Sequence, residues 1–185
     1  MNAPTQSTLA ENEQEVVKLL QEQPILVLGT ISLDGGPMVH GMHYVSDGTT
    51  VYVSSLRATR KLLDVRAEPR VAYAIWKIAG YEDRHAARSL QMQAVAEVLT
   101  DEADIRDATA RMVAKEPWFQ GTPMMRFNRW LRLRPQQALW QQGAEEIDAR
   151  RILRFSQLGN VVEAQLYPQY LKEVYATMAA SPAID

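Results

Sequence analysis

Four residues carry the strongest local chemistry in this chain. Ser54 and Ser55 close an apolar, strand-like run, and Arg60-Lys61 opens a short helix-like stretch just after it. Hydroxyls at a strand end, the free N–H groups of a helix start and two cations together suit a phosphate. Arginine grips two oxygens at once, whereas lysine supplies a point charge. A solvated helix start with incidental serines is the plainer reading of the same residues.

Other polar groupings read more simply. His40 and His43 invite a metal, but strand positions three apart face opposite sides of a sheet, so one ion does not easily take both. His85 sits in a polar connection, YEDRHAAR, and adds little. Arg126, Arg129, Arg132 and Arg134 form a basic run interleaved with Phe127 and Trp130. Such strands bind single-stranded nucleic acid in some proteins, but a solvated face with nearby acids explains this one. Here Arg132 and Arg134 would share a face with Trp130, while Leu131 and Leu133 face the core. Glu145, Glu146 and Asp148 read as a helix start, where acids belong. No serine has an elbow motif, and no glycine-rich loop has dinucleotide spacing.

The elements that must position these residues follow from periodicity and turn chemistry. Thr8 and Glu11 have capping-box spacing ahead of Val16, Val17, Leu19 and Leu20, which predicts a helix over 8–23 closed by Pro24. ILVLGTIS (25–32) is a short, nearly continuous apolar run, which predicts a strand buried on both faces. Turns at Asp34–Pro37 and Ser46–Thr49 separate it from strands over 38–45 and 50–55, giving an antiparallel meander. A helix over 59–67, with Leu62, Leu63 and Val65 inward, precedes strands at 70–76 and 89–99. Asp101 caps a helix reaching about Lys115 through Ile105, Ala108, Met112 and Val113. Residues 129–141 make a sixth strand, kinked or at an edge near Pro135. Two more helical stretches, about 146–157 and 161–180, complete the tail. The expected architecture is mainly β with helices (α+β): a six-stranded antiparallel split or closed barrel over 1–145, with a helical extension over 146–185 packed on it.

Composition bounds the function. The 185 residues are 46% hydrophobic and 23% charged, with a net charge of -2, as expected of one soluble globular domain. That balance argues against a general nucleic-acid coat or a polybasic membrane binder. The absence of cysteine excludes disulfides, thiolate metal sites and thiol catalysis. No window reaches the roughly 18 apolar residues of a membrane span. The polar, acidic opening MNAPTQSTLAENEQE lacks the features of a signal peptide, so a cytoplasmic location is expected.

The meander, the Gly-x-Pro turn and RKLLDVRAEPRVAYAIW (60–76) together resemble the pyridoxamine 5′-phosphate oxidase-like, FMN-binding split-barrel flavoproteins. The likeness runs from about Ile25 to Leu99 and returns at LRLRPQQALWQQG (131–143). It implies that Arg60 and Lys61 hold the FMN phosphate. Ser54 and Ser55 would touch the phosphate or ribityl chain, and His40, Gly41, Met42 and His43 would line the ring. Ser89 matches a position often occupied by glutamine near the isoalloxazine edge. The resemblance further implies a homodimer with flavin at the subunit interface, completed by Trp118, Trp130 or Trp140 of the second chain.

The departures point away from a vitamin B6 oxidase. His40 replaces an arginine of those enzymes, Val45 replaces a substrate-binding lysine, and the tail lacks their arginine- and histidine-bearing motif. The implied function is an FMN-dependent oxidoreductase moving a hydride between a nicotinamide or organic donor and a small acceptor, with no catalytic acid or base assigned. The alternatives are the same barrel carrying a deazaflavin or haem, with His40 or His43 on the iron, and a flavin-binding module without turnover. A small-molecule substrate is expected, and neither a metal site, a nucleic acid nor a membrane partner.

Overall fold

The computed structural model describes residues 8–77, 86–122, 125, 127–143 and 150–167. Helix α1 (Leu9–Glu22) starts with the expected capping box: Thr8 accepts from the Glu11 backbone, and Glu11 accepts from Thr8. Val16, Leu19 and Leu20 of α1 enter the main core. Strands β1 (Ile25–Ile31), β2 (Pro37–Asp47) and β3 (Thr50–Leu56) form the predicted meander. Gly35 and Gly48 take positive φ at its two turns, where glycine avoids the Cβ clash.

After α2 (Arg60–Ala67), β4 (Arg70–Lys77) pairs with β1, and β5 (Arg88–Val98) pairs with β4. Helix α3 (Glu102–Lys115), capped by Asp101, leads through a 3-10 turn (Pro117–Phe119) to the 15-residue β6 (Asn128–Gln142). The first half of β6 pairs with β3 and closes a six-stranded barrel in the order β3-β2-β1-β4-β5-β6. Its second half pairs instead with β7 (Arg150–Phe155), which hairpins into β8 (Val161–Leu166). Pro135 lies between these two pairings, opposite a register shift in β5. The irregularity at Pro135 is therefore present, but β6 is an interior strand.

Three expectations change. Residues 150–155 and 161–166 are strands, not helices. Leu153 and Val161 sit in the barrel core, and the turn between them is set by Gly159 at φ +88°. A Cβ there would also come within 2.7 Å of the Thr49 hydroxyl oxygen. Residues 168–185 and the acids Glu145, Glu146 and Asp148 lie outside the described residues, as do His85 and Arg126.

Second, Leu63 of α2 faces solvent, and Asp64 takes a buried place beside Leu62 and Val65. Third, β1 is not buried on both faces. Leu26, Leu28 and Thr30 point into the barrel, while Ile25 and Ile31 are exposed. The outer face of β1 continues across its neighbours: Val27 pairs with Gly41 and Ala74, and Gly29 with Val39 and Ala72. Val39 is 72% exposed. No described helix is long and apolar enough to cross a membrane.

A second core lies outside the barrel, where Phe119, Ala108 and Met112 cover Val45 and Trp130. Trp130 and Trp140 are thus buried and Trp118 is half exposed, so of the three tryptophans only Trp118 is available to a second chain.

Candidate functional site

One end of the barrel meets α2. Inward-facing positions of three adjacent strands end there: Thr30 of β1, His40 of β2 and Ser55 of β3. The Thr30 hydroxyl oxygen is 3.3 Å from His40 Nε2. From α2, Lys61 Nζ donates to the Ser55 hydroxyl at 3.3 Å, and the Ser55 and Thr59 hydroxyls are 2.7 Å apart. Thr59 occupies the N-cap position of α2, yet its side chain makes no capping bond and donates instead to the Leu56 carbonyl at 3.0 Å. The helix start is therefore not closed by its own N-cap side chain, the arrangement an anion exploits.

Charge in this cluster is finely divided. Burial pulls the Lys61 ammonium below the usual lysine range. His40 is lowered by burial and then by Lys61, against the pull of Asp64, so the imidazole favours its neutral form. Arg60 lies 3.2 Å from the Asp34 carboxylate and 3.9 Å from Asp64. Asp64 is fully buried; one oxygen accepts from the Leu33 N–H at 3.2 Å and the other has no partner. Asp34, Thr59 and Asp64 were not singled out from sequence. The four-residue spacing of Arg60 and Asp64 was a readable signal for one of them.

The other expected site residues separate. Ser54, paired with Trp130, lies on the face opposite Ser55 and turns toward the second core. Met42 is buried in the barrel. Gly41 and His43 lie on the exposed outer face, and a Cβ added at Gly41 would meet nothing within 4 Å. His43 Nδ1 is 3.7 Å from Glu116, whose other oxygen accepts from the Trp118 indole N–H at 2.7 Å. The His43 and Trp118 rings meet edge to face at 5.1 Å. Thus His40 and His43 do occupy different sites, and no described group of three or more histidines, aspartates and glutamates could hold a metal.

Ser89 pairs with Gln141 near the end of β6, whereas Ser55 pairs with Arg129 near its start. A single chain does not bring Ser89 to Arg60 and Lys61. Two concavities also lie elsewhere: about 220 Å³ between α1 and Lys77, Ala86 and Arg88, and about 290 Å³ over Gln91, Gln137 and Ile152. The cation cluster is an open surface site.

A family model described as pyridoxamine 5′-phosphate oxidase matches residues 13–142, which include the whole closed barrel and α2. The chain belongs to the pyridoxamine 5′-phosphate oxidase family. No curated protein matches it. Among solved structures, a FAD-binding protein from Mesorhizobium loti shares 19% identity at a TM-score of 0.55, covering 68% of this chain and 90% of its own. The haem storage protein of Vibrio cholerae shares 20% at 0.57, covering 72% and 98%. A haem-binding protein from Mycobacterium smegmatis shares 16% at 0.61, covering 94% and 62%. Family membership thus accounts for the split barrel, and of these three similar structures one is a FAD-binding protein, one a haem storage protein and one a haem-binding protein.

Proposed function

We propose that this chain is an FMN-dependent oxidoreductase, transferring a hydride between a nicotinamide or organic donor and a small acceptor as a homodimer. The observation that carries the reading is the convergence of Lys61, Ser55, Thr59 and Arg60 at an uncapped helix start beside an open sheet face. Those groups suit a phosphate monoester. Gly41 leaves the adjoining strand bare, so a planar ring has room to lie against the backbone of β2.

Bound there, the flavin supplies the redox chemistry. The chain's own residues do the rest. Lys61 and Arg60 hold the phosphate, with the Ser55 and Thr59 hydroxyls as neutral partners. His43, with Glu116 behind Nδ1, turns Nε2 to the open face as a hydrogen-bonding group for the ring. The uncovered apolar positions Ile25, Val39 and Trp76 favour a second copy that excludes water from the ring and brings its own Ser89 and Trp118 near it. Val45 is buried under α3, away from any substrate, which agrees with a substrate other than a B6 vitamer.

A haem reading rests on His43. A carboxylate beside Nδ1 leaves Nε2 for iron, the common arrangement of metal-bound histidine. The test is the visible spectrum of the purified protein before and after FMN is added and the excess removed. Retained bands near ~370 and ~450 nm support the flavin. A sharp band near ~420 nm with weaker bands beyond 500 nm identifies haem and overturns it, and a protein that refuses FMN also overturns it.

A further inference from the structure

Before any ligand arrives, Arg60 already faces two carboxylates, Asp34 at 3.2 Å and Asp64 at 3.9 Å, while Lys61 meets the Ser55 hydroxyl. A phosphate monoester brings about -1.5 to -2 more charge at neutral pH. Asp64 is fixed, since it is buried on α2 and holds the Leu33 N–H. Asp34 is different. Its carboxylate is 75% exposed on the β1–β2 turn and lies 3.2 Å from the outer nitrogen of Arg60, itself 58% exposed. A carboxylate on a guanidinium takes up the same hydrogen-bonding edge that a phosphate uses.

We propose that Asp34 is an internal anion that competes with incoming phosphate for Arg60 and so sets the affinity for phosphate-bearing ligands. The proposal rests on the reading of Arg60 and Lys61 as a phosphate site, but not on the ligand being a flavin. The turn is built to survive the exchange. The two bonds that close it, Ser32 N–H to the Gly36 carbonyl and Gly35 N–H to the Ser32 carbonyl, both 2.8 Å, do not involve the carboxylate, which also accepts from the Asp34 and Gly36 N–H groups. The Ser32 hydroxyl contacts both Asp34 and the Gly36 carbonyl, and the second of these contacts persists when Asp34 swings away.

Asp34→Asn isolates the charge, because asparagine keeps an oxygen acceptor for Ser32. Wild type and D34N are titrated with FMN, with riboflavin and with inorganic phosphate alone, the last followed by phosphorus NMR. The expected result is FMN and phosphate binding tightened roughly five- to tenfold in D34N, with riboflavin unchanged. In an Arg60→Gln background the same change has no effect. Unchanged or weaker phosphate binding in D34N overturns the proposal, as does equal tightening of riboflavin or phosphate bound by neither protein. Should the protein carry haem and refuse FMN, tighter phosphate binding in D34N still upholds the proposal while the flavin reading falls. If FMN binds equally to both proteins, the reverse holds.

Discussion

Two basic clusters, one on β6 and one at the start of α2, are wired in opposite ways. On β6, Arg132 reaches Glu97 at 3.0 Å and Asp104 at 3.1 Å, and Arg134 reaches Glu97 at 3.0 Å. These arginines sit on a strand face shared with α3 and β5, and each charge is met within the chain. On α2, among the described residues, Lys61 meets only a hydroxyl at 3.3 Å, while Arg60 has a solvent-open contact with Asp34 at 3.2 Å and a looser one with the buried Asp64 at 3.9 Å. A count of positive residues would rank β6 first, with three arginines, Arg129, Arg132 and Arg134, against two cations. The partners reverse that ranking. What marks a binding site is cationic capacity not already spent on fixed carboxylates.

The sharpest way to break this contrast is to remove the cations of each cluster in turn. Arg60→Ala with Lys61→Ala deletes two charge-assisted partners of a phosphate, at about 1.5–3 kcal/mol each. FMN affinity should fall by about 100-fold or more, with little change in thermal stability. Arg132→Ala with Arg134→Ala should leave FMN affinity within about twofold and lower stability by about 1 kcal/mol, as partly exposed ion pairs do. Equal losses of affinity from both pairs, measured by flavin fluorescence titration, would show that the β6 run belongs to the site.

A smaller effect is expected at Asp64, which links the two functions of α2. Its carboxylate is buried, ties the β1–β2 turn to the helix through the Leu33 N–H and faces Arg60. Asp64→Ala should destabilise the fold by about 1–3 kcal/mol, since a buried charge-accepting group is lost and a backbone donor is orphaned. Chemical denaturation measures this directly. A stable variant that binds FMN as before would mean that the turn is held by its own backbone bonds.

Most of the scaffold was legible in the sequence because its signals are local. The capping box at Thr8 and Glu11, the glycines at 35 and 48 and the alternation of Leu90, Met92, Ala94 and Ala96 each depend on neighbours in the chain. The tail was not. Arg150–Phe155 and Val161–Leu166 have apolar positions that satisfy a helical spacing as readily as an alternating one, and only the pairing of the first with β6 and of the second with the first decides. Leu63 shows the same limit: its type suits a core, but α2 buries Asp64 instead.

For the site, Arg60, Lys61 and Ser55 were readable as a helix start after a strand end. Asp34 was not, because its contact with Arg60 spans 26 residues, whereas Asp64 has the four-residue spacing from Arg60 that signals it. Ser54 went the other way, since adjacent serines on a strand cannot share one face. The continuous apolar run of β1 was a true signal misread. Only its inward positions Leu26, Leu28 and Thr30 are buried, and no described element covers its outer face within one chain.

A third cation extends the comparison. Lys115, at the end of α3, is held neither by carboxylates nor by hydroxyls alone: its ammonium donates to the carbonyls of Leu20 at 3.1 Å and Gln23 at 2.7 Å and lies 4.0 Å from the centre of the Tyr44 ring. Burial pushes it down to about 8, against the attraction of Glu116. An unfolded lysine titrates near 10.4, so between about pH 8 and 10.4 the unfolded chain binds more protons at this position than the folded one. Stability from Lys115 therefore rises with pH through that window. The neutral amine still has two N–H groups for the two carbonyls, so deprotonation breaks neither bond. Wild type should gain a few degrees in Tm relative to Lys115→Met as pH goes from 8 to 10, a modest effect because the side chain is only partly buried. A Tm difference that stays flat across those pH values would show that the carbonyls and the ring hold the ammonium charged, and would place Lys115 beside Arg132 as a cation whose charge is met inside the chain.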